Sequence, residues 1–289
     1  MPGDVMTDRV DSLPALRDVI AKYELRAKKS LGQNFLLDLN LTHRIARAAG
    51  PLNGVDVIEI GPGPGGLTRA LLGEGARNVY AVERDTRCIE ALQDLIAASE
   101  GRLHLMEADA MTVDIETIGE APRRVVANLP YNIATPLLLK WLRHAETIES
   151  LTCMFQREVA DRLAAVPGTK AYGRLSVIVQ WLCTVRPEFN VPPQAFTPAP
   201  KVTSTIVTMT PRKTPLAPAQ WKHLETVTAA AFGQRRKMLR VSLKGFGLDL
   251  VALGIEPTLR AENLSVETFC RIAEAHREMV EKGAVENGA

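Results

Sequence analysis

Four cysteines in 289 residues, Cys88, Cys153, Cys183 and Cys270, stand far apart, with no C-x-x-C pair and no histidine at ligand spacing. This argues against a zinc site or a dense disulfide framework, and free thiols in a reducing compartment are expected. Charge of one sign is also scarce: 35 Lys and Arg face 33 Asp and Glu, a formal net of +2. A nucleic-acid-binding surface, if there is one, has to be local. Long apolar runs are missing as well. The most apolar stretch, residues 175–185, is interrupted and too short to cross a bilayer, and residues 1–10 carry acids in place of the apolar core of a signal peptide. A soluble, cytoplasmic protein with no membrane partner is expected. No internal repeat or low-complexity tract stands out.

The chain does contain 46% hydrophobic residues, enough for one large domain and a smaller appendage. From Val57 onward, short runs of branched residues alternate with helical periodicity, the mark of a parallel sheet with crossover helices. The pattern predicts strands at 57–60, 79–83, 103–108, 125–128 and 151–155, and helices at 67–72, 87–98, 136–141 and 158–165. Segments 182–189 and 203–209 are expected to pair as an antiparallel hairpin at the sheet edge. Pro211, Pro215 and Pro218 break both helix and strand, so a linker is placed there. Helical periodicity then resumes at Trp221, Leu224, Val227 and Ala231, continues over 238–243 and ends in a helix capped near Ser265. The expected class is α/β: a Rossmann-like sheet with helices on both faces over residues 1–211, its N-terminal part a helical lid, followed by a small all-helical domain over 212–289.

Residues 57–66 read Val-Ile-Glu-Ile-Gly-Pro-Gly-Pro-Gly-Gly, in which Gly61, Gly63 and Gly66 fit G-x-G-x-x-G after a strand. Dinucleotide enzymes use such a loop to aim backbone amides at a pyrophosphate. Pro62 and Pro64 remove two of those amides, which suits a ligand without phosphates, such as S-adenosylmethionine. Glu83, at the end of the next strand, can accept ribose hydroxyls, and Asp109, followed by Ala110 after the third strand, can accept from an adenine amine. A lone acid at a strand end is commonly just solvated; three features at successive strand ends argue for a site.

The fourth strand runs into Asn128-Leu129-Pro130-Tyr131. An adenine amine is a poor nucleophile because its lone pair is delocalised into the ring. Two acceptors aimed at its hydrogens, the Asn128 side-chain oxygen and the Leu129 carbonyl, would return that density to nitrogen. Pro130 restricts Leu129 to an extended shape and offers no competing amide. Tyr131 offers a face on which an extruded base can stack. The competing explanation is a plain turn with an aromatic anchor.

The segments Lys28-Lys29-Ser30-Leu31-Gly32-Gln33-Asn34-Phe35-Leu36, Glu59-Ile60-Gly61-Pro62-Gly63, Asn128-Leu129-Pro130-Tyr131-Asn132-Ile133 and Ala195-Phe196-Thr197-Pro198-Ala199-Pro200-Lys201-Val202 resemble the ribosomal RNA adenine dimethyltransferase family, in its bacterial small-subunit branch. The resemblance covers nearly everything from Leu16 to Glu281. It implies that Gln33, Asn34 and Leu36 close over S-adenosylmethionine and that Gly61 lies against its methionine part. Glu83 and Asp109 would hold ribose and adenine, and Asn128 would lie between cofactor and target. Phe196 would join Tyr131 in the target-base pocket; without the resemblance it reads as core. The implied reaction is dimethylation of two adjacent adenines in a terminal loop of 16S RNA in the small ribosomal subunit, by a monomer, without metal.

Between Arg212 and Leu248 eight Lys or Arg face one acid, Glu225, and Arg235, Arg236, Lys237, Arg240 and Lys244 are expected on one helical stretch. Such a run is often only a solvated face; beside an adenine-methylating site, RNA contact is expected, with Lys28 and Lys29 as a second contact. Three rival functions are weighed. A large-subunit (23S) RNA methylase would share every catalytic residue. A nicotinamide oxidoreductase would share the glycine loop and Glu83 but leaves the tetrad unexplained. A non-catalytic assembly factor would not need the tetrad intact.

Overall fold

The computed structural model describes residues 9–10, 12–25 and 32–286, with side chains described as far as Lys282. They form two compact units, one of the described residues up to 160 together with 186–211, the other of 161–185 together with 212–286.

The first unit is built on a seven-stranded sheet. Its strands are β2 (Asp56–Ile60), β3 (Asn78–Glu83), β4 (Leu103–Glu107), β5 (Arg123–Ala127), β6 (Ser150–Gln156), β7 (Cys183–Val191) and β9 (Ser204–Pro211), in the order β4-β3-β2-β5-β6-β9-β7. The pairs from β4 to β6 are parallel, and β9 joins β6 antiparallel. β2 is buried at every residue, its two acids Asp56 and Glu59 included, as expected of a central strand in a parallel sheet. β4, at the edge, is buried only at Leu103. The expected edge strands are both present and adjacent, but β9 lies inside the sheet, between β6 and β7.

Around the sheet lie α1 (Leu16–Lys22), α2 (Leu39–Ala48), α3 (Gly66–Gly73), α4 (Thr86–Ala91), α5 (Gln93–Ala98) and α6 (Tyr131–Trp141), with α7 (Arg157–Leu163) following β6. The helix expected at 87–98 is broken at Leu92 into α4 and α5. The helix expected from Pro136 begins five residues earlier. The Pro130 carbonyl accepts from Ile133 and Ala134 at 3.1 Å each, so the first turn is nucleated there and Pro136 sits inside the helix. A two-residue strand β1 (Phe35–Leu36) pairs antiparallel with β8 (Phe196–Thr197) beside the glycine loop.

The second unit is helical: α8 (Arg174–Leu182), α9 (Trp221–Gly233), α10 (Leu239–Ser242) and α11 (Val266–Glu286). Phe232 is central, 6.0 Å from the Tyr172 ring and 5.4 Å from Phe269 between centroids. Ser265 caps α11 by accepting from Thr268 N at 3.2 Å. The expected division at residue 211 is corrected for 161–185. α8 packs on α9 and α11, and Trp181 donates to the Ala217 carbonyl at 2.9 Å, so this stretch belongs to the helical unit although it precedes the linker.

A second correction concerns the basic run. α9 ends at Gly233, and Arg235, Arg236 and Lys237 lie in the turn that follows it. Arg235 Nε pairs with Glu262 at 2.8 Å and its Nη2 donates to the Thr169 carbonyl at 3.3 Å, so it ties the unit together. Arg236, Lys237, Arg240 and Lys244 are exposed. Lys28 and Lys29 lie outside the described residues. No described helix is long and apolar enough to cross a membrane.

Candidate active site

β2 is flanked by β3 on one side and β5 on the other, so the chain reverses its winding there and a crevice opens at the carboxyl ends of the strands. A cleft of about 1090 Å³, open mouth included, occupies that place. It is lined by Gln33, Asn34 and Leu36 from the N-terminal segment, Gly61 and Gly63 from the glycine loop, Glu83, Asp109 and Ala110 from the next strand ends, and Asn128 through Tyr131. Most of the expected site residues are therefore brought together.

The loop amides are committed. Gly61 N donates to Val82 O at 2.9 Å, Gly65 N to Pro62 O at 3.0 Å and Gly63 N to Glu83 Oε2 at 3.2 Å, while Pro62 and Pro64 have none. Few donors remain for a pyrophosphate, so the loop fits a phosphate-free ligand and disfavours a dinucleotide. Gly61 adopts φ +69° and a Cβ there would meet only open space, leaving the backbone bare toward the cleft. At Gly66 a Cβ would lie 2.9 Å from the Leu36 carbonyl, so only glycine lets β1 close against α3.

Glu83 is buried, and its Oε1 accepts from Arg84 N and Asp85 N at 2.8 Å each. With Gly63 N on Oε2, three of about four acceptor positions are filled and the last is left on Oε2 for a hydroxyl. Burial raises its pKa, and the three amides oppose that rise. Asp109 takes Met111 N at 2.9 Å and Arg84 Nη1 at 3.0 Å. Asp85 caps α4, is pulled down to about 2 by the Arg87 guanidinium and receives Gln33 Nε2 at 3.0 Å. Gln33 is thereby latched to the strand end that carries Glu83.

Asn128 directly follows β5 and donates from Nδ2 to the Asn34 carbonyl at 3.3 Å. That bond turns Oδ1 away, and among the described residues nothing donates to it. The Leu129 carbonyl likewise has no donor there. Tyr131, the first residue of α6, shares a 2.6 Å hydrogen bond between its hydroxyl and that of Ser204. Asn128, Leu129 and Tyr131 all line the cleft, the first two each with an acceptor to which no described residue donates.

A family model described as ribosomal RNA adenine dimethylase matches residues 24–278. The chain belongs to the ribosomal RNA adenine dimethylase family. It is 63% identical over 268 residues to the ribosomal RNA small subunit methyltransferase A of Rhodospirillum rubrum, covering 92% of this chain and 93% of that protein. It is 64% identical over 266 residues to the protein of the same name from Paramagnetospirillum magneticum, covering 91% and 95%. Among solved structures, the 23S rRNA methyltransferase ErmE superposes with a TM-score of 0.66 at 26% identity, over 84% of this chain and all (100%) of that one. A dimethyladenosine transferase from Plasmodium falciparum, at TM-score 0.72 and 24% identity over 84% and 98%, shares the fold.

This dimethylase is an enzyme that methylates adenine in ribosomal RNA with S-adenosylmethionine. The residues present fit that cofactor: a loop with few amides left for a phosphate and a carboxylate with an acceptor position left for ribose, both lining one open cleft.

One expected residue stands elsewhere. Phe196 is 4% exposed, opposite Leu36 in the β1–β8 pair and within the core cluster, and it does not line the cleft. The apolar contacts available beside Leu36 favour burial of the ring over display.

Sequence reasoning missed Glu59. Its carboxyl, on the buried strand β2, lines the cleft, accepts from Thr68 Oγ1 at 2.6 Å and is pushed up to about 8, first by burial and also by the nearby Glu83 charge. The acid before the glycines was visible; its burial depended on packing that pattern alone does not show. Because the folded protein holds this proton more tightly than the unfolded chain, the contribution of Glu59 to stability is full below about pH 4.5 and is lost as pH rises toward 8. Glu59→Gln is expected to flatten that slope. Thermal melts of ligand-free enzyme and variant across this window check it; parallel curves would show that Glu59 ionises freely.

Proposed function

We propose that this enzyme dimethylates the N6 amines of two adjacent adenines in a 3′-terminal hairpin loop of 16S rRNA, acting as a cytoplasmic monomer on the small ribosomal subunit during its biogenesis. The observation that carries the reading is the pair of free acceptors, Asn128 Oδ1 and the Leu129 carbonyl, beside the Tyr131 face. The names of the two bacterial relatives favour the small subunit.

S-adenosylmethionine, when bound, supplies a methyl group activated by its sulfonium. Tyr131 stacks the extruded base, a contact worth about 1 to 3 kcal/mol. Asn128 Oδ1 and the Leu129 carbonyl accept the two amine hydrogens, hold the nitrogen in line and stabilise the positive charge it gains. The nitrogen loses one proton to solvent in each round. Glu83 and Asp109 anchor the cofactor's ribose and adenine, and Gln33, Asn34 and Leu36 exclude water above it.

Arg236, Lys237, Arg240 and Lys244 form an exposed phosphate-contacting surface on the helical unit. Arg236→Ala combined with Lys237→Ala is expected to reduce the slope of log affinity for RNA against log salt by roughly 0.7 to 0.9 for each phosphate no longer neutralised. Cofactor affinity should not change. An unaltered slope in filter-binding titrations would make this turn a solvated surface. Arg235 is left out because its replacement would break the Glu262 pair.

The superposition with a 23S methyltransferase keeps large-subunit RNA as the second reading. Labelled cofactor offered separately to unmodified small and large subunits distinguishes the two. Label in the small subunit is expected, and label confined to the large one would overturn the substrate assignment.

A further inference from the structure

We propose that Ser204 is a positioning residue for the second methyl transfer, tethering the Tyr131 ring so that it holds a base already methylated once. The proposal rests on the stacking of the target base on Tyr131 set out above.

Ser204 is the first residue of β9, opposite Gln156 of β6, and is fully buried. Its hydroxyl makes one side-chain hydrogen bond among the described residues, the 2.6 Å bond to Tyr131. A hydroxyl carried into the sheet is expensive to leave unpaired, so the bond is a fixed part of the folded site. Tyr131 stands at the first position of α6, with no preceding helical turn to confine its side chain. The ring is therefore held at both ends, by the backbone at Cβ and by the strand at the hydroxyl. Burial raises the phenol's pKa, keeping it protonated and able to serve in that bond.

The two rounds of transfer make unequal demands on this tether. An unmethylated amine offers two hydrogens to two acceptors, Asn128 Oδ1 and the Leu129 carbonyl. After the first transfer one hydrogen remains, so only one of the two acceptors is still engaged. The base then depends more on the face it stacks against, and a ring free to pivot would impair the second round more than the first.

Ser204→Ala and Tyr131→Phe remove the tether from opposite ends while keeping the ring. In single-turnover reactions with the full-length enzyme and unmodified small subunits, N6-monomethyladenosine and N6,N6-dimethyladenosine are quantified over time. Ser204→Ala should leave the first transfer near its normal rate and slow the second by about 2- to 13-fold, the range set by one ordinary hydrogen bond, so the monomethyl species accumulates; Tyr131→Phe should raise the monomethyl fraction in the same way, whatever its first-round rate. The double variant should be no slower than either single one. Equal slowing of both rounds, no slowing, or additive losses would overturn the proposal. If Ser204→Ala fails to fold, Tyr131→Phe decides alone. Tyr131→Ala separates the two levels of the argument. A normal first-round rate in that variant defeats the stacking reading itself, whereas a slow first round with a normal monomethyl fraction in Tyr131→Phe defeats only the tether.

Discussion

Asn128→Ala is expected to slow methyl transfer by about a hundredfold to a thousandfold while the protein still folds and binds RNA. The amine needs two acceptors to localise its lone pair, and losing one preorganised interaction of this kind has an effect of that order. Folding should tolerate the change: Asn128 lies just beyond β5, and its one side-chain bond, to the Asn34 carbonyl, is long at 3.3 Å. Single-turnover methylation with enzyme and cofactor in excess keeps slow product release out of the measured rate. Circular dichroism and RNA binding establish that the variant is intact. A folded variant with a near-normal rate would reduce the tetrad to a structural turn.

Glu83→Ala is expected to weaken S-adenosylmethionine binding by about 13- to 160-fold, the equivalent of the 1.5 to 3 kcal/mol typical of hydrogen bonds to a charged group. The loss has two sources. The ribose loses its acceptor, and the amides of Gly63, Arg84 and Asp85 lose the carboxylate that fixes the loop. Calorimetric titration checks the affinity. An unchanged Kd would remove Glu83 from the cofactor site. Glu83→Gln, which keeps one oxygen for the amides, should fall between the alanine variant and the unaltered enzyme.

The sheet was legible because β2, β3, β5 and β6 each carry a short stretch of buried branched or apolar residues, and each begins and ends within about two residues of its expected place. The cleft was legible too, since the glycine loop, Glu83, Asp109 and the tetrad each follow a strand whose carboxyl end faces it. What pattern alone did not show was set by tertiary contacts. Pro136 looks like a helix start because proline is well tolerated only in a first turn, yet the Pro130 carbonyl nucleates α6 earlier. The basic run looked helical because residues on either side are, but Gly233 ends α9 and the Arg235 pair with Glu262 stabilises a turn. Residues 161–185 precede the linker in sequence and still join the helical unit, a placement decided by the packing of α8. Glu59 showed only as an acid before the glycines and Ser204 not at all, because each matters through burial or through a partner that packing brings to it.

One cleft is proposed to combine a cofactor loop with two acceptors for an adenine amine, and a direct measurement tests that combination. Unmodified small ribosomal subunits are incubated with the enzyme and methyl-labelled S-adenosylmethionine, the RNA is digested, and the label is mapped by mass spectrometry. The account predicts two methyl groups on the N6 of each of two adjacent adenines in the 3′-terminal hairpin. Label on another base, or on a ring nitrogen of adenine, would contradict it.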